Sequence, residues 1–175
     1  MASYSGSSIS GATLAVPLQT AITDQLQTST EIDYFKISGA DISVDSLITL
    51  DFGVASASSN NEYSVSIVDD GGTSLATTST GQNTSLTYQA TAGVTYYAKV
   101  EKGADAFTDA AYSLNVAVVG TSEVVGNNDT QANANALLEN VNFTGSLATT
   151  SDVDVFAFTT GPAGGTVSLS VAAAS

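Results

Sequence analysis

The sequence predicts an all-β protein, and specifically an antiparallel β-sandwich of the jelly-roll-like kind. Short stretches in which apolar and polar residues alternate recur along the chain, and turn residues separate them at regular intervals. No window of eleven or more residues has the three-to-four apolar spacing of an amphipathic helix. Eight or nine such strands in about 120 residues favour a sandwich, and a closed barrel is the alternative.

The individual strands follow from this alternation. Residues 45–53 place Ile48, Leu50 and Phe52 on one face of a strand, which predicts one buried and one wet face. The run Asp69-Asp70-Gly71-Gly72 predicts a hairpin turn, because aspartate and glycine tolerate positive φ. In all, the sequence predicts strands over residues 12–18, 22–26, 32–38, 45–53, 62–68, 74–78, 84–88, 94–101 and 111–119.

A five-residue pattern occurs twice in the chain, 121 residues apart. Glu31-Ile32-Asp33-Tyr34-Phe35 and Asp152-Val153-Asp154-Val155-Phe156 both read acid, β-branched, Asp, apolar or aromatic, Phe. Other matches at the same offset are Ala15 with Ala136, Leu26 with Leu147, Thr28 with Thr149, and Leu50 with Val171. The alignment runs without a gap over roughly forty positions, which identifies an internal repeat.

The repeat predicts an uneven domain organisation. Residues 1–120 form a complete sandwich, residues 121–131 a linker, and residues 132–175 the N-terminal part of a second sandwich. In the second part we expect a helical turn or short strand over 132–138 and strands over 142–147, 153–159 and 166–171. Such strands without partners expose open edges, so a longer polypeptide or another copy of the chain is expected to complete them.

Composition excludes several classes of function. The net charge is −14, with 17 acidic residues against three lysines, so we expect no nucleic-acid partner. No run of about 18 apolar residues occurs, so we expect no membrane insertion. There is no cysteine for disulfides or thiolate metal sites, and no histidine to activate a serine nucleophile. Asp152 and Asp154 are too close together on one strand to flank a scissile glycosidic bond. We therefore expect a protein that is not an enzyme.

The motifs resemble those of bacterial pre-peptidase C-terminal domains. The second copy reads Asn128-Asp129-Thr130, then Gly145-Ser146-Leu147, then residues 152–156, in the order that this family uses. In the first copy, residues 92–100 (Ala-Gly-Val-Thr-Tyr-Tyr-Ala-Lys-Val) and residues 112–114 (Tyr-Ser-Leu) are similar to the family's later strands. The resemblance covers nearly the whole chain.

The resemblance implies a non-catalytic β-sandwich on a secreted protein, located extracellularly or at the bacterial cell surface. The expected role is a structural or adhesive module of a surface layer, filament or large adhesin, with further modules or copies of the same protein as partners. The alternative is an accessory domain of a secreted hydrolase that binds extracellular polysaccharide or protein. Some members of the family bind calcium near the linker.

The acidic pairs are the candidate calcium ligands. Residues at i and i+2 of a strand share a face, so the carboxylates of Asp152 and Asp154 repel each other unless a cation lies between them. Asn128 and Asp129 could complete this Ca²⁺ site from the linker. The equivalent pair in the first copy, Glu31 and Asp33, is a second candidate. The alternative is that these side chains cap turns and accept backbone N–H bonds.

Overall fold

The computed structural model describes residues 4–58, 60–123, 128–138, 141–147, 149–159 and 166–172. The chain divides into two compact units, Met1–Ser122 (unit 1) and Glu123–Ser175 (unit 2). The described residues form β-strands and short 3₁₀ helices and contain no α-helix. No helix among them is long and apolar enough to cross a lipid bilayer.

Unit 1 is an antiparallel β-sandwich, as the alternation predicts. One sheet has five strands in the order β1-β3-β8-β5-β6, and the other has four in the order β2-β9-β4-β7. The strands are β1 (Ser5–Gly6), β2 (Ile22–Asp24), β3 (Ile32–Ile37), β4 (Ser46–Val54), β5 (Tyr63–Val68), β6 (Ser74–Thr80), β7 (Thr84–Ala90), β8 (Tyr96–Lys102) and β9 (Tyr112–Gly120).

The core lies between the two sheets and is built from alternate residues of the facing strands. In β4 the inward residues Ile48, Leu50 and Phe52 are buried, while Asp51 between them is exposed. One end of the core is aromatic: the ring of Tyr112 stacks on Phe52 at a centroid distance of 5.4 Å and meets Phe35 edge-on at 6.3 Å. These rings come from both sheets and therefore hold the two layers together.

The predicted hairpin turn at Asp69–Gly72 is confirmed. It joins β5 to β6, and Gly72 has φ +83°, which glycine adopts without a steric penalty. The Asp69 carboxylate accepts hydrogen bonds from the backbone N–H groups of Gly71 (3.0 Å) and Thr73 (2.7 Å). The side chain therefore fixes the turn as an Asx-type cap.

The strand predicted over residues 12–18 is wrong. Only Ala15 makes a bridge there, parallel to Lys36 of β3, and Pro17, which has no N–H to donate, follows two residues later. The 3₁₀ helix Ile9–Gly11 comes before this segment, and the short strand β1, which the alternation does not predict, pairs with the edge of β3. A two-residue strand is too short for alternation to reveal it.

Unit 2 contains much less regular structure. Its described elements are a 3₁₀ helix, Gln131–Asn133, and two strands, β10 (Asn135–Ala136) and β11 (Phe156–Ala157), which pair in parallel. The strands predicted over 142–147 and 166–171 are wrong, and the strand predicted over 153–159 shrinks to two residues. A strand needs hydrogen-bonding neighbours on its edges, and unit 2 provides few of them.

The repeat is visible in the backbone hydrogen bonds of the two units. Val16 N donates to Lys36 O at 2.9 Å in unit 1, and the residues 121 positions later make the same bond, Leu137 N to Ala157 O at 2.7 Å. A turn bond of 3.2 Å also recurs, from Glu31 N to Thr28 O and from Asp152 N to Thr149 O. Unit 2 therefore begins to fold as unit 1 does.

Candidate functional site

The candidate site lies in unit 2, where the buried residue Asn128 meets the second copy of the acidic motif. Asn128 is 1% exposed, and its backbone carbonyl accepts a hydrogen bond from Val155 N at 2.9 Å. This bond ties the Asn-Asp motif to the segment that carries Asp152 and Asp154. The structure therefore brings three of the four predicted ligands of this copy together.

Glu123 is a further member of this site that the sequence analysis did not identify. Its backbone N–H donates to Thr144 O at 3.1 Å, and its Oε1 accepts hydrogen bonds from the backbone N–H and the hydroxyl of Ser146. A Cβ added to Gly145 would lie 3.1 Å from Oε2, so the glycine of the Gly-Ser-Leu motif leaves room for this carboxylate. Glu123 is the only acidic residue between Asp109 and Asp129, and that isolation was the one available signal.

Several polar atoms of this site are buried without a hydrogen-bond partner among the described residues. They are Glu123 Oε2, Asp154 Oδ1, and both Oδ1 and Nδ2 of Asn128. Buried polar groups are nearly always paired in folded proteins, because an unpaired group keeps the cost of losing its water. A bound cation would satisfy these three oxygens, and so would a proton shared between the carboxylates of Asp154 and Glu123, whose side chains are close enough to hydrogen-bond.

The charges of the site point the same way. Desolvation raises the pKa of Asp154, and the nearby carboxylates of Glu123 and Asp152 raise it further. The side-chain amide of Asn128 lowers the pKa of Asp154. Like charges this close favour either protonation or a cation, because each carboxylate disfavours ionisation of the next.

The donor set fits calcium, which binds carboxylate, amide and carbonyl oxygens. Asp129 is exposed and directs no described contact into the site. Within the described ranges, no three acidic, histidine or cysteine side chains are already arranged at metal-binding distances. A cation in unit 2 would therefore rely on Asn128, on backbone oxygens and on water in addition to the carboxylates.

In the first copy, the candidate ligands Glu31 and Asp33 accept hydrogen bonds from other residues of unit 1. Glu31 accepts a hydrogen bond from Gln27 N, and Asp33 Oδ2 accepts one from the hydroxyl of Tyr112 at 2.6 Å. The positions equivalent to Glu123 and Asn128 are Ala2 and Ser7, which carry no carboxylate or amide. Unit 1 therefore lacks the donor set that unit 2 contains.

Asp33 has an unusual environment that follows from its position. It points into the sandwich beside Phe35, is 5% exposed, and bonds to a tyrosine on the opposite sheet. Burial raises its pKa to about 6, the Tyr112 hydrogen bond opposes this rise, and Asp24 and Glu31 add to it. Burial also raises the pKa of Tyr112, and the Asp33 charge raises it further, so the phenol stays protonated and donates.

A shallow polar groove in unit 1 is the second candidate binding surface. It lies on the four-stranded sheet and is lined by Asp51, Asn83, Ser113 and Asn115, among others. Asn83 Oδ1 accepts from Val54 N at 3.0 Å, whereas Asn115 Oδ1 is buried without a partner among the described residues. Such a surface offers hydrogen-bonding groups to a polar ligand.

Comparisons with known proteins found no match for this chain. No protein-family model matches the chain, and no curated protein sequence is significantly similar to it.

Proposed function

We propose that this protein is a non-catalytic structural or adhesive module of a secreted bacterial surface protein, stiffened by calcium in unit 2. The resemblance of its motifs to pre-peptidase C-terminal domains supports this proposal, as does the tandem repeat, which is typical of surface layers, filaments and large adhesins. Modules in series transmit force and position other domains, and neither task requires a reactive group.

The observation that carries the proposal is the set of unpaired buried oxygens on Glu123, Asn128 and Asp154. A calcium ion there would satisfy these atoms and offset the repulsion among the carboxylates of Glu123, Asp152 and Asp154. It would link Glu123 and Asn128 to the acidic motif at residues 152–154. Unit 2 would then lose flexibility at the start of its fold, which is the stiffening that a tandem surface protein needs.

Calcium titration by isothermal calorimetry tests the metal site. We expect binding by the natural chain and at least a tenfold loss of affinity in Glu123→Gln and Asp154→Asn, since each variant removes one charge while keeping its shape. Asp70→Asn is the matched control, because Asp70 is exposed on the β5–β6 turn in unit 1. Absence of binding heat in the natural chain would refute the calcium site.

Native mass in calcium and after EDTA tests the structural role. We expect a large assembly in calcium that dissociates when the metal is removed. A monomer of 17.6 kDa in both conditions would contradict the assembly, whereas the metal itself is tested by calorimetry. The mass of Asp154→Asn in calcium should match that of the natural chain in EDTA.

The groove of unit 1 favours a second candidate function, an accessory domain that binds polysaccharide or protein. The unpaired Asn115 Oδ1 beside Asp51 is the observation behind it. Screening against soluble polysaccharides, with Asn115→Ala compared with the natural chain, tests this alternative. Binding that survives Asn115→Ala unchanged would show that the groove is not the site.

A further inference from the structure

Unit 2 exposes apolar side chains whose equivalents in unit 1 form the core. The exposed fractions are 0% for Leu26 against 66% for Leu147, 0% for Ile37 against 55% for Phe158, 0% for Ile48 against 69% for Leu169, and 0% for Leu50 against 85% for Val171. We call Leu147, Phe158, Leu169 and Val171 the open core residues. Each of these four positions is buried in the core in unit 1 and exposed in unit 2.

Unit 1 shows what covers these positions. In β4, Leu50 pairs with Val116 of β9 and Ile48 pairs with Val118 of β9. The described residues of unit 2 contain no strand equivalent to β9. Residues 166–172, which correspond to part of β4, are exposed and are not in a strand. They lack the neighbour whose backbone would hold them extended.

The acidic motif gives an independent indication of the same missing strand. Asp33 in unit 1 accepts its hydrogen bond from Tyr112, the first residue of β9. Asp154 occupies the equivalent position in unit 2, and its Oδ1 is buried without a partner in the described part of the chain. A strand of the β9 kind would therefore satisfy both the apolar residues and this carboxylate.

A second unit 2 cannot fill this role. Residues 123–175 contain no tyrosine, so a pair of such units has no phenol to donate to Asp154. The same residues contain five acids and no lysine or arginine, so two copies would repel each other. Nor is β9 of another copy free, because β2 and β4 pair with its two edges.

We propose that unit 2 is an acceptor for a β-strand with the β9 pattern, in which a tyrosine is followed by apolar residues at alternate positions, as in Tyr112-Ser113-Leu114-Asn115-Val116. The tyrosine hydroxyl donates to Asp154, and the apolar side chains cover Leu169 and Val171. The added backbone pairs with residues 166–172 and turns them into a strand. This inference goes beyond the calcium-stiffened module and is tested without the metal, because the tyrosine would take the Asp154 Oδ1 that calcium would otherwise bind.

A synthetic peptide tests the proposal on the full chain in EDTA, so that the calcium site plays no part. The peptide has the sequence of residues 110–121, carries a fluorophore and is followed by fluorescence anisotropy. We expect saturable binding, and at least tenfold weaker binding by the same peptide with Tyr112→Phe, which keeps the apolar pattern and loses the hydroxyl. Equal affinity of the two peptides, or no binding of either, would overturn the proposal.

Variants of the chain locate the binding surface. Leu169→Asp places a charge among the open core residues and should weaken peptide binding at least tenfold. Ser170→Asp is the matched control and should leave binding unchanged, because its equivalent Thr49 alternates with the buried residues of β4. If the chain instead dimerises without peptide and Leu169→Asp abolishes the dimer, a second copy is the occupant and the proposal is wrong.

Hydrogen exchange provides a measurement that does not depend on peptide solubility. Residues 94–121 are joined after residue 175 through a flexible glycine-serine linker. We expect exchange of the amides of residues 166–172 to slow at least tenfold relative to the natural chain, and to slow less when the appended copy of Tyr112 is phenylalanine. Unchanged exchange in the fusion would overturn the proposal.

Discussion

Replacing Tyr112 with phenylalanine isolates the hydrogen bond that joins the two sheets of unit 1. The hydroxyl lies 2.6 Å from Asp33 Oδ2, and the ring stacks on Phe52 at 5.4 Å. Phenylalanine keeps the ring and its packing, so the variant removes only the donor. Asp33 is 5% exposed and cannot recover that bond from water without a rearrangement.

The expected loss depends on the charge of Asp33. Hydrogen bonds to a charged group contribute about 1.5–3 kcal/mol, and those between neutral groups about 0.5–1.5 kcal/mol. The pKa of Asp33 is about 6, so its carboxylate is ionised at pH 8 and protonated at pH 4.5. Tyr112→Phe should therefore lower the free energy of unfolding of unit 1 by about 1.5–3 kcal/mol at pH 8, and by about 1 kcal/mol at pH 4.5.

The natural chain should itself change in stability over this range. The folded pKa of about 6 lies above the ordinary 3.8, so the favourable contribution of Asp33 is complete below pH 3.8 and is lost as the pH rises through 6. At about 1.36 kcal/mol per pKa unit, the loss is at most roughly 3 kcal/mol. Asp33→Asn should remove this dependence, because the amide cannot ionise and its oxygen still accepts from Tyr112.

Urea unfolding followed by circular dichroism at pH 4.5 and pH 8 measures these effects. Tyr63→Phe is the matched control, since Tyr63 is buried in the same aromatic cluster but donates to a neutral acceptor, Ala110 O, at 2.8 Å. Its loss should be the same at both pH values. A pH-independent loss in Tyr112→Phe, equal to that of Tyr63→Phe, would refute the assigned charge of Asp33.

Three substitutions, two of them paired with a control at an exposed residue, test the packing and the turns by the same unfolding measurement. Leu50→Ala should cost about 2–5 kcal/mol, whereas Val171→Ala, at the equivalent exposed position, should change stability by less than about 0.5 kcal/mol. Asp69→Ala should cost about 1–2 kcal/mol because two backbone N–H groups lose their acceptor, and Asp70→Ala should cost almost nothing. Gly39→Ala should cost about 1–3 kcal/mol, because the new Cβ would clash with the backbone carbonyl oxygen of Gly93; equal stability would contradict that close approach.

Much of unit 1 could be predicted from local pattern. Alternation identified β3, β4, β5 and β9 within a few residues of their observed bounds, because each strand has one face in the core and one in water. Alternation wrongly predicts a strand over residues 12–18. Apolar residues of this segment contact the sheet, but only Ala15 forms a bridge to it. Burial alone gives the same apolar pattern as a strand.

The candidate site was only partly predictable. The spacing of Asp152 and Asp154 and the Asn-Asp motif identified three participants, because close like charges and amide oxygens are visible in a sequence. Glu123 was missed, since its contact with Ser146 spans 23 residues and no motif marks it. Asp129 is predicted as a ligand from its residue type alone. In the structure its side chain is exposed and makes no described contact with the site.

The all-β class and the hairpin at Asp69 can be predicted from local residue patterns, and the 121-residue repeat from matching residues along the chain. The different surroundings of the two copies of the acidic motif become visible only in the folded chain. Asp33 meets Tyr112 from 79 residues away, whereas Asp154 meets no such partner in the described chain. A strand and a buried carboxylate both need hydrogen-bonding partners that lie far away in the sequence. Local residue patterns therefore cannot predict whether those partners are present.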